Sequence, residues 1–155
     1  MKFKLICVGK IQSYSPYLKI IEEYKKRLPN RIEIIEIKTQ KVSKSKKIEA
    51  EAKKIDNHLK NTQVVILLDS IGKKISDKQL YNFVLEKINY GHSEICFVIG
   101  GAYGLHYKML NKYEKFSFGD LIWSHQLIRV MLIEQIYRSI CKINGLTEKI
   151  INHFW

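Results

Sequence analysis

Three glycines, Gly100, Gly101 and Gly104, follow at once on Ile95-Cys96-Phe97-Val98-Ile99, five apolar residues without a polar break. An unbroken apolar run suits a strand buried on both faces. A strand that ends in glycines leaves main-chain N–H and C=O groups open to a ligand, and open α/β sheets bind ligands at such carboxyl ends. The same residues also suit a plain tight turn between a strand and a helix. The spacing is not Gly-x-Gly-x-x-Gly and the strand lies late in the chain, which argues against a dinucleotide site. A second group of chemically able residues is helical in spacing. His125 and Arg129 are four apart, as are Glu134 and Arg138, so each pair shares a helix face. Glu134–Arg138 reads either as a structural ion pair or as a glutamate with a catalytic role, and both readings stay open here.

The elements that must position these residues alternate between strand and helix, which argues an α/β fold. Lys2–Val8 reads as a first strand closed by Gly9. Ser15 caps a helix with Pro16 in its first turn, and Pro29-Asn30 ends it. Arg31–Lys38 is a second strand, part-exposed at Glu33 and Glu36. Ser43–Lys47 reads as loop and Ile48 onward as helix, the whole stretch rich in lysines that as a set suit phosphates. Val64–Leu68 is a continuous and therefore central third strand, ended by Asp69. Ser76 caps a helix that runs to about Tyr90, and Gly91 follows. Leu105–Lys115 reads as another helix, 116–118 as a short fifth strand, 119–124 as a loop, and His125 to about Ile143 as a last helix. That helix is apolar on more than one face, so it is buried on two sides. In so small a protein the second side is read as another subunit, giving a homodimer.

The 155 residues carry a formal net charge of +12 with 46% apolar residues. This is the length and composition of one globular domain rather than a disordered chain. The charge calls for a polyanionic partner, most simply RNA or DNA, although lysine-rich proteomes of low G+C content inflate this number everywhere, and here lysine far outnumbers arginine. No run reaches the length of a membrane span, and the N-terminus lacks the features of a signal peptide. Cys7, Cys96 and Cys141 are odd in number and far apart. They read as reduced core residues of a cytoplasmic protein without a metal site.

Three motifs then occur in a telling order: Leu67-Leu68-Asp69 with Gly72-Lys73 and Ser76; Phe97-Val98-Ile99-Gly100-Gly101 with Gly104-Leu105; and His125-Gln126-Leu127, Arg129, Leu132, Glu134-Gln135 and Tyr137-Arg138. From residue 8 to about Gly145 the chain resembles the family of ribosomal large-subunit pseudouridine N3-methyltransferases, minimal members of the SPOUT superfamily. The resemblance implies a single SPOUT domain over residues 1–155, with a mostly parallel sheet flanked by helices and a C-terminal trefoil knot. It also implies a homodimer, S-adenosylmethionine as cofactor, and methylation of N3 of a pseudouridine in the 23S rRNA of assembled ribosomes. By position, the family's cofactor contacts fall at Leu68, at Gly100 and along Phe118, Gly119, Asp120, Leu121, Ile122 and Trp123.

Two departures from the family's pattern stand out. Ser124 replaces a proline before His125 and suits the N-cap of the last helix. The chain ends Asn152-His153-Phe154-Trp155, where the family has a short Tyr-His-basic tail, so His153 stands in for the tail histidine without its tyrosine. N3 of a pseudouridine becomes nucleophilic on losing its proton, which a base or a nearby cation favours. Arg138, always charged, is the first candidate for binding RNA or favouring the imide anion, with His125 and His153 as further catalytic candidates. The rival readings are a SPOUT enzyme acting on tRNA, and a basic ribosome-binding factor without catalysis.

Overall fold

The computed structural model describes residues 1–29, 31–39 and 41–146. Five strands form one parallel sheet: β1 (Lys2–Val8), β2 (Ile32–Ile37), β3 (Val65–Lys74), β4 (Glu94–Ile99) and β5 (Glu114–Ser117), in the order β2-β1-β4-β3-β5. The helices between them are α1 (Pro16–Arg27), α2 (Lys44–Leu59), α3 (Asp77–Asn89), α4 (Tyr107–Lys112) and α5 (His125–Ile143).

Alternate residues of each strand feed separate cores, because successive side chains leave a strand on opposite faces. Phe3, Leu5 and Cys7 join Ile95, Phe97 and Ile99 under α1, α3 and α5. Ile6 and Val8 join Cys96, Val98 and Leu67 under α2 and α4. This is why Ile95–Ile99 has no polar break: β4 is the middle strand, covered on both faces. β3 is not the centre, as its apolar run had suggested, but lies between β4 and β5. All three cysteines are free and buried. Burial pushes the thiols of Cys7 and Cys96 up to about 12, so both are inert core groups.

The caps fall where the sequence placed them. Ser15 Oγ accepts from Tyr17 N at 3.3 Å, and Ser76 forms a capping box with Gln79. Three boundaries differ from expectation. α2 starts at Lys44 rather than Ile48, because an all-polar first turn carries no apolar period to signal it. The helix expected over Leu105–Lys115 is only Tyr107–Lys112. Glu114 and Lys115 instead pair with Ile66 and Leu67 on β3, a tertiary demand that overrides local preference. β3 also runs on to Lys74. Leu68 and Lys73 both lie opposite Phe116, so Asp69–Gly72 forms a bulge, with Asp69 Oδ1 accepting from Ile71 N at 3.1 Å.

Part of the apolar surface of α5 is covered within the chain. Its buried residues include Val130, Leu132, Ile133, Ile136 and Ile140, and α1 and α3 flank it. Tyr24 of α1 meets Tyr137 of α5 with ring centroids 5.4 Å apart. Leu127, Ile128 and Met131 on the same helix stay half-buried. Among the described residues no helix is long and apolar enough to cross a membrane, and no three His, Cys, Asp or Glu side chains gather as a metal site would need.

A Cβ on Gly72 would lie 2.7 Å from the backbone of Lys115 and Phe116, so the bulge closes against β5 only because this residue has no side chain. Gly72→Ala should lower stability by about 1–3 kcal/mol, the usual cost of forcing an extra carbon into a packed site. Urea unfolding measures the loss directly.

Candidate functional site

A cavity of about 360 Å³ opens at the carboxyl ends of β3, β4 and β5. Three stretches far apart in sequence build it. β3 and its bulge give Leu68, Asp69 and Ser70. The turn after β4 gives Gly100, Gly101, Ala102 and Gly104. The loop between β5 and α5 gives Phe118, Gly119, Leu121, Ile122 and Trp123, with Ser124, His125 and Ile128 closing the far wall. Parallel strands end here with carbonyl groups that no further strand takes up, so main-chain recognition comes naturally to the place.

The glycine turn is shaped for close approach. A Cβ on Gly100 would sit 3.0 Å from the backbone of Gly104 and from Leu105 Cγ. Gly104 has φ +77°, which an L side chain resists. Gly101 and Gly104 form an isolated antiparallel bridge, with Gly104 N donating to Gly101 O at 3.0 Å. On the opposite wall, the indole Nε1 of Trp123 is buried and, among the described residues, has no hydrogen-bond partner. A buried N–H without a partner costs free energy, so this donor is able to serve a ligand acceptor.

The cofactor positions taken from the resemblance can now be placed. Leu68, Gly100, Phe118, Gly119, Leu121, Ile122 and Trp123 all line the one cavity. Asp120 does not: its carboxylate turns outward and pairs with Lys74 at 2.6 Å. Ile122 is 97% exposed although it borders the cavity, leaving an uncovered apolar edge with Leu121. Ser124 caps α5 as expected, its Oγ accepting from Leu127 N at 3.2 Å.

Of the two catalytic candidates among the described residues, His125 reaches the cavity. Burial, helped by the nearby Arg129 guanidinium, lowers its pKa and favours the neutral ring. Arg138 does not line the cavity. It lies thirteen residues further along α5, about 20 Å at 1.5 Å per residue, and forms an ion pair with Glu134. His153 lies outside the described residues.

Two residues that support the site were not singled out for it from sequence. The Arg129 side chain is wholly buried, with 0% exposure. Its Nη1 donates to Glu36 Oε1 at 3.0 Å, and its Nη2 donates to Val8 O at 3.1 Å and Gly9 O at 2.7 Å. Glu36 also accepts from Ile11 N at 2.9 Å. The available signal was an arginine inside an apolar helix, because a buried cation needs an acidic or carbonyl partner. Glu36, on an alternating strand, read as merely exposed.

The chain matches the family described as predicted SPOUT methyltransferase over residues 1–147. It is 40% identical over 157 residues to the putative ribosomal RNA large subunit methyltransferase H of Methanococcus maripaludis, covering 94% of this chain and 97% of that protein. It is 41% identical over 150 residues to the ribosomal RNA large subunit methyltransferase H of Streptococcus uberis, covering 90% and 93%. Among solved structures, a probable methylase family protein from Haemophilus influenzae shares the fold with a TM-score of 0.59, at 13% identity, over 92% of this chain and 68% of the other.

Two outcomes follow from the packing. Arg129→Met should cost about 1–3 kcal/mol in urea unfolding, because it leaves the Val8 and Gly9 carbonyls without their donor and the half-exposed Glu36 without its cation. His125 has a folded pKa below the ordinary 6.5, so between those values the unfolded chain binds more protons. Stability should therefore fall as pH drops through about 6.5, and should stop falling on this account below the folded pKa. Subtracting the pH–stability curve of His125→Gln from that of the wild type isolates the effect.

Proposed function

The chain belongs to the SPOUT methyltransferase family, and we propose that it methylates N3 of a pseudouridine in 23S rRNA of assembled ribosomes, in the cytoplasm, with S-adenosylmethionine as donor. The observation that carries this reading is the single cavity into which β3, the glycine turn and the 118–123 loop converge. Its volume is in the range of small-molecule sites. The buried, unpartnered Trp123 Nε1 and the bare backbone at Gly100 fit a ligand held largely by main-chain and indole donors. When bound, the cofactor supplies a methyl group already activated on a sulfonium. The chain's own task is then to hold and orient it, through Leu68, Gly100 and the loop, and to exclude water with Phe118 and Trp123.

His125 meets the needs of a proton acceptor for the N3 imide: it faces the cavity and its neutral form is favoured. Arg138 cannot serve the cavity of its own chain from about 20 Å along the helix. Its proposed role, favouring the imide anion, therefore requires a homodimer in which Arg138 of one subunit faces the cavity of the other. The exposed apolar pair Leu121 and Ile122 at the rim is a suitable patch for that contact. The C-terminal trefoil knot and the role of His153 belong to the same proposal and rest on the family resemblance.

The deciding experiment is transfer of labelled methyl from S-adenosylmethionine to ribosomes lacking the modification, with free tRNA in parallel. Label in N3-methylpseudouridine of 23S rRNA supports the proposal, and label in tRNA replaces the substrate. Cofactor binding without label on either RNA favours a non-catalytic ribosome-binding role. Arg138→Ala should bind the cofactor as the wild type does while losing methyl transfer. Mixed with a cavity variant such as Gly100→Val, it should recover about a quarter of wild-type activity, since half the dimers are hybrids with one intact site of two. No recovery from folded, mixed dimers would rule out a role across the interface.

A further inference from the structure

The glycine turn presents one residue away from the cavity. Tyr103 sits between Ala102 and Gly104, both of which line the cavity, yet it does not line it and is 51% exposed. Its ring instead meets the first turn of α2. The ammonium groups of Lys44 and Lys47 each stand 5.4 Å from the ring centroid. Lys41 and Lys46 are exposed close by in sequence.

The ring attracts both ammonium groups, but their place at the start of α2 opposes the helix. Cations at the start of a helix oppose its dipole, and α2 has no acidic residue in its first turn to offset them. Two ammonium groups drawn to one ring also repel each other. Among the described residues neither Lys44 nor Lys47 has a carboxylate within ion-pair distance. A local conflict of this kind beside a cavity is expected where a ligand resolves it. The ligand that suits both parts is a strand with planar bases and regularly spaced phosphates. Aromatic rings stack on unpaired bases, and flanking lysines take the phosphates.

Resting on the rRNA reading above, we propose that Tyr103, Lys44 and Lys47 form a landing site for single-stranded RNA beside the methyl-transfer cavity. Tyr103 stacks on a base near the target nucleotide, and the two lysines hold adjoining phosphates. Because Tyr103 belongs to the same turn as Gly101 and Gly104, the landing site and the cavity move as one unit.

The test measures binding of the full chain to unmodified ribosomes and to protein-free 23S rRNA over a range of salt concentrations. Tyr103→Ala should weaken binding about 5- to 150-fold, the range set by the loss of one stacked base. Tyr103→Phe should bind as the wild type does. Lys44→Ala with Lys47→Ala should flatten the slope of log affinity against log salt by about 1.4, two phosphate contacts on a single strand. Lys19→Ala with Lys60→Ala, two exposed lysines elsewhere, removes the same charge and should have a smaller effect. Wild-type affinity in Tyr103→Ala, or an equal loss in the control pair, would overturn the landing site. Where the wild type binds both targets, a loss seen only on ribosomes would also overturn it and assign the patch to a protein partner. Binding that depends on Tyr103 without any methyl transfer would sink the proposed reaction and leave the landing site standing.

Discussion

One buried guanidinium joins three parts of this chain that are far apart in sequence. Arg129 reaches from the second turn of α5 to the carbonyls that end β1 and to the carboxylate near the end of β2. A buried cation without partners is severely penalised, so the geometry tolerates little drift once the three meet. His125, one turn earlier, shares that fixed frame. Its Nε2 lies 3.7 Å from where a Cβ on Gly9 would be. The loop before α5 is thereby anchored at one end by Arg129, and at the other by β5 pairing with β3. Residues 118–123 are held over the ends of the strands, with Phe118 packed on the core and Asp120 paired with Lys74.

The cavity beneath that loop relies on backbone more than on charged side chains. Glycines make the close approach on one side, and an indole N–H waits on the other. The one acidic side chain of the loop, Asp120, is spent on Lys74 outside it. A positively charged sulfonium cofactor and a polyanionic substrate place opposite demands on a site. With Asp69 as the acidic side chain on the cavity wall and the lysines on the outer surface, on α2 and elsewhere, the two demands are separated in space.

Much of this was legible from sequence, because it depends on local periodicity and on chemistry that cannot be placed elsewhere. The unbroken Ile95–Ile99 run identified a strand covered on both faces, and Ser15, Ser76 and Ser124 each announced a helix start. The glycine turn announced the cavity's near wall. What escaped depends on long-range pairing. Glu114 and Lys115 look helical until β3 claims them, and the Asp69–Gly72 bulge exists only because β5 meets β3 at two separate places. Glu36 has an ordinary strand pattern, and only its partner ninety-three positions away gives it a role. The apolar girth of α5 announced a helix packed on more than one side; α1 and α3 take part of that surface, and periodicity alone cannot divide the rest between neighbouring helices and a second subunit.

The pairing of β1 with β4 has a consequence for how the chain comes to be folded. Lys4 bonds to Glu94 across ninety positions, and the clamp from Arg129 to Val8 spans 121. Closing loops of that length costs entropy before any contact repays it, so a sheet built this way forms late and slowly. During synthesis the first strand leaves the ribosome long before its inner neighbour is made. The residue that fixes its end comes later still, close to the C-terminus. Until then Phe3, Leu5, Ile6 and Val8 have only β2 beside them, with their inner edge open to the aggregation and chaperone capture that unpaired strands invite. A strand made some ninety residues before its inner neighbour is among the last to be secured.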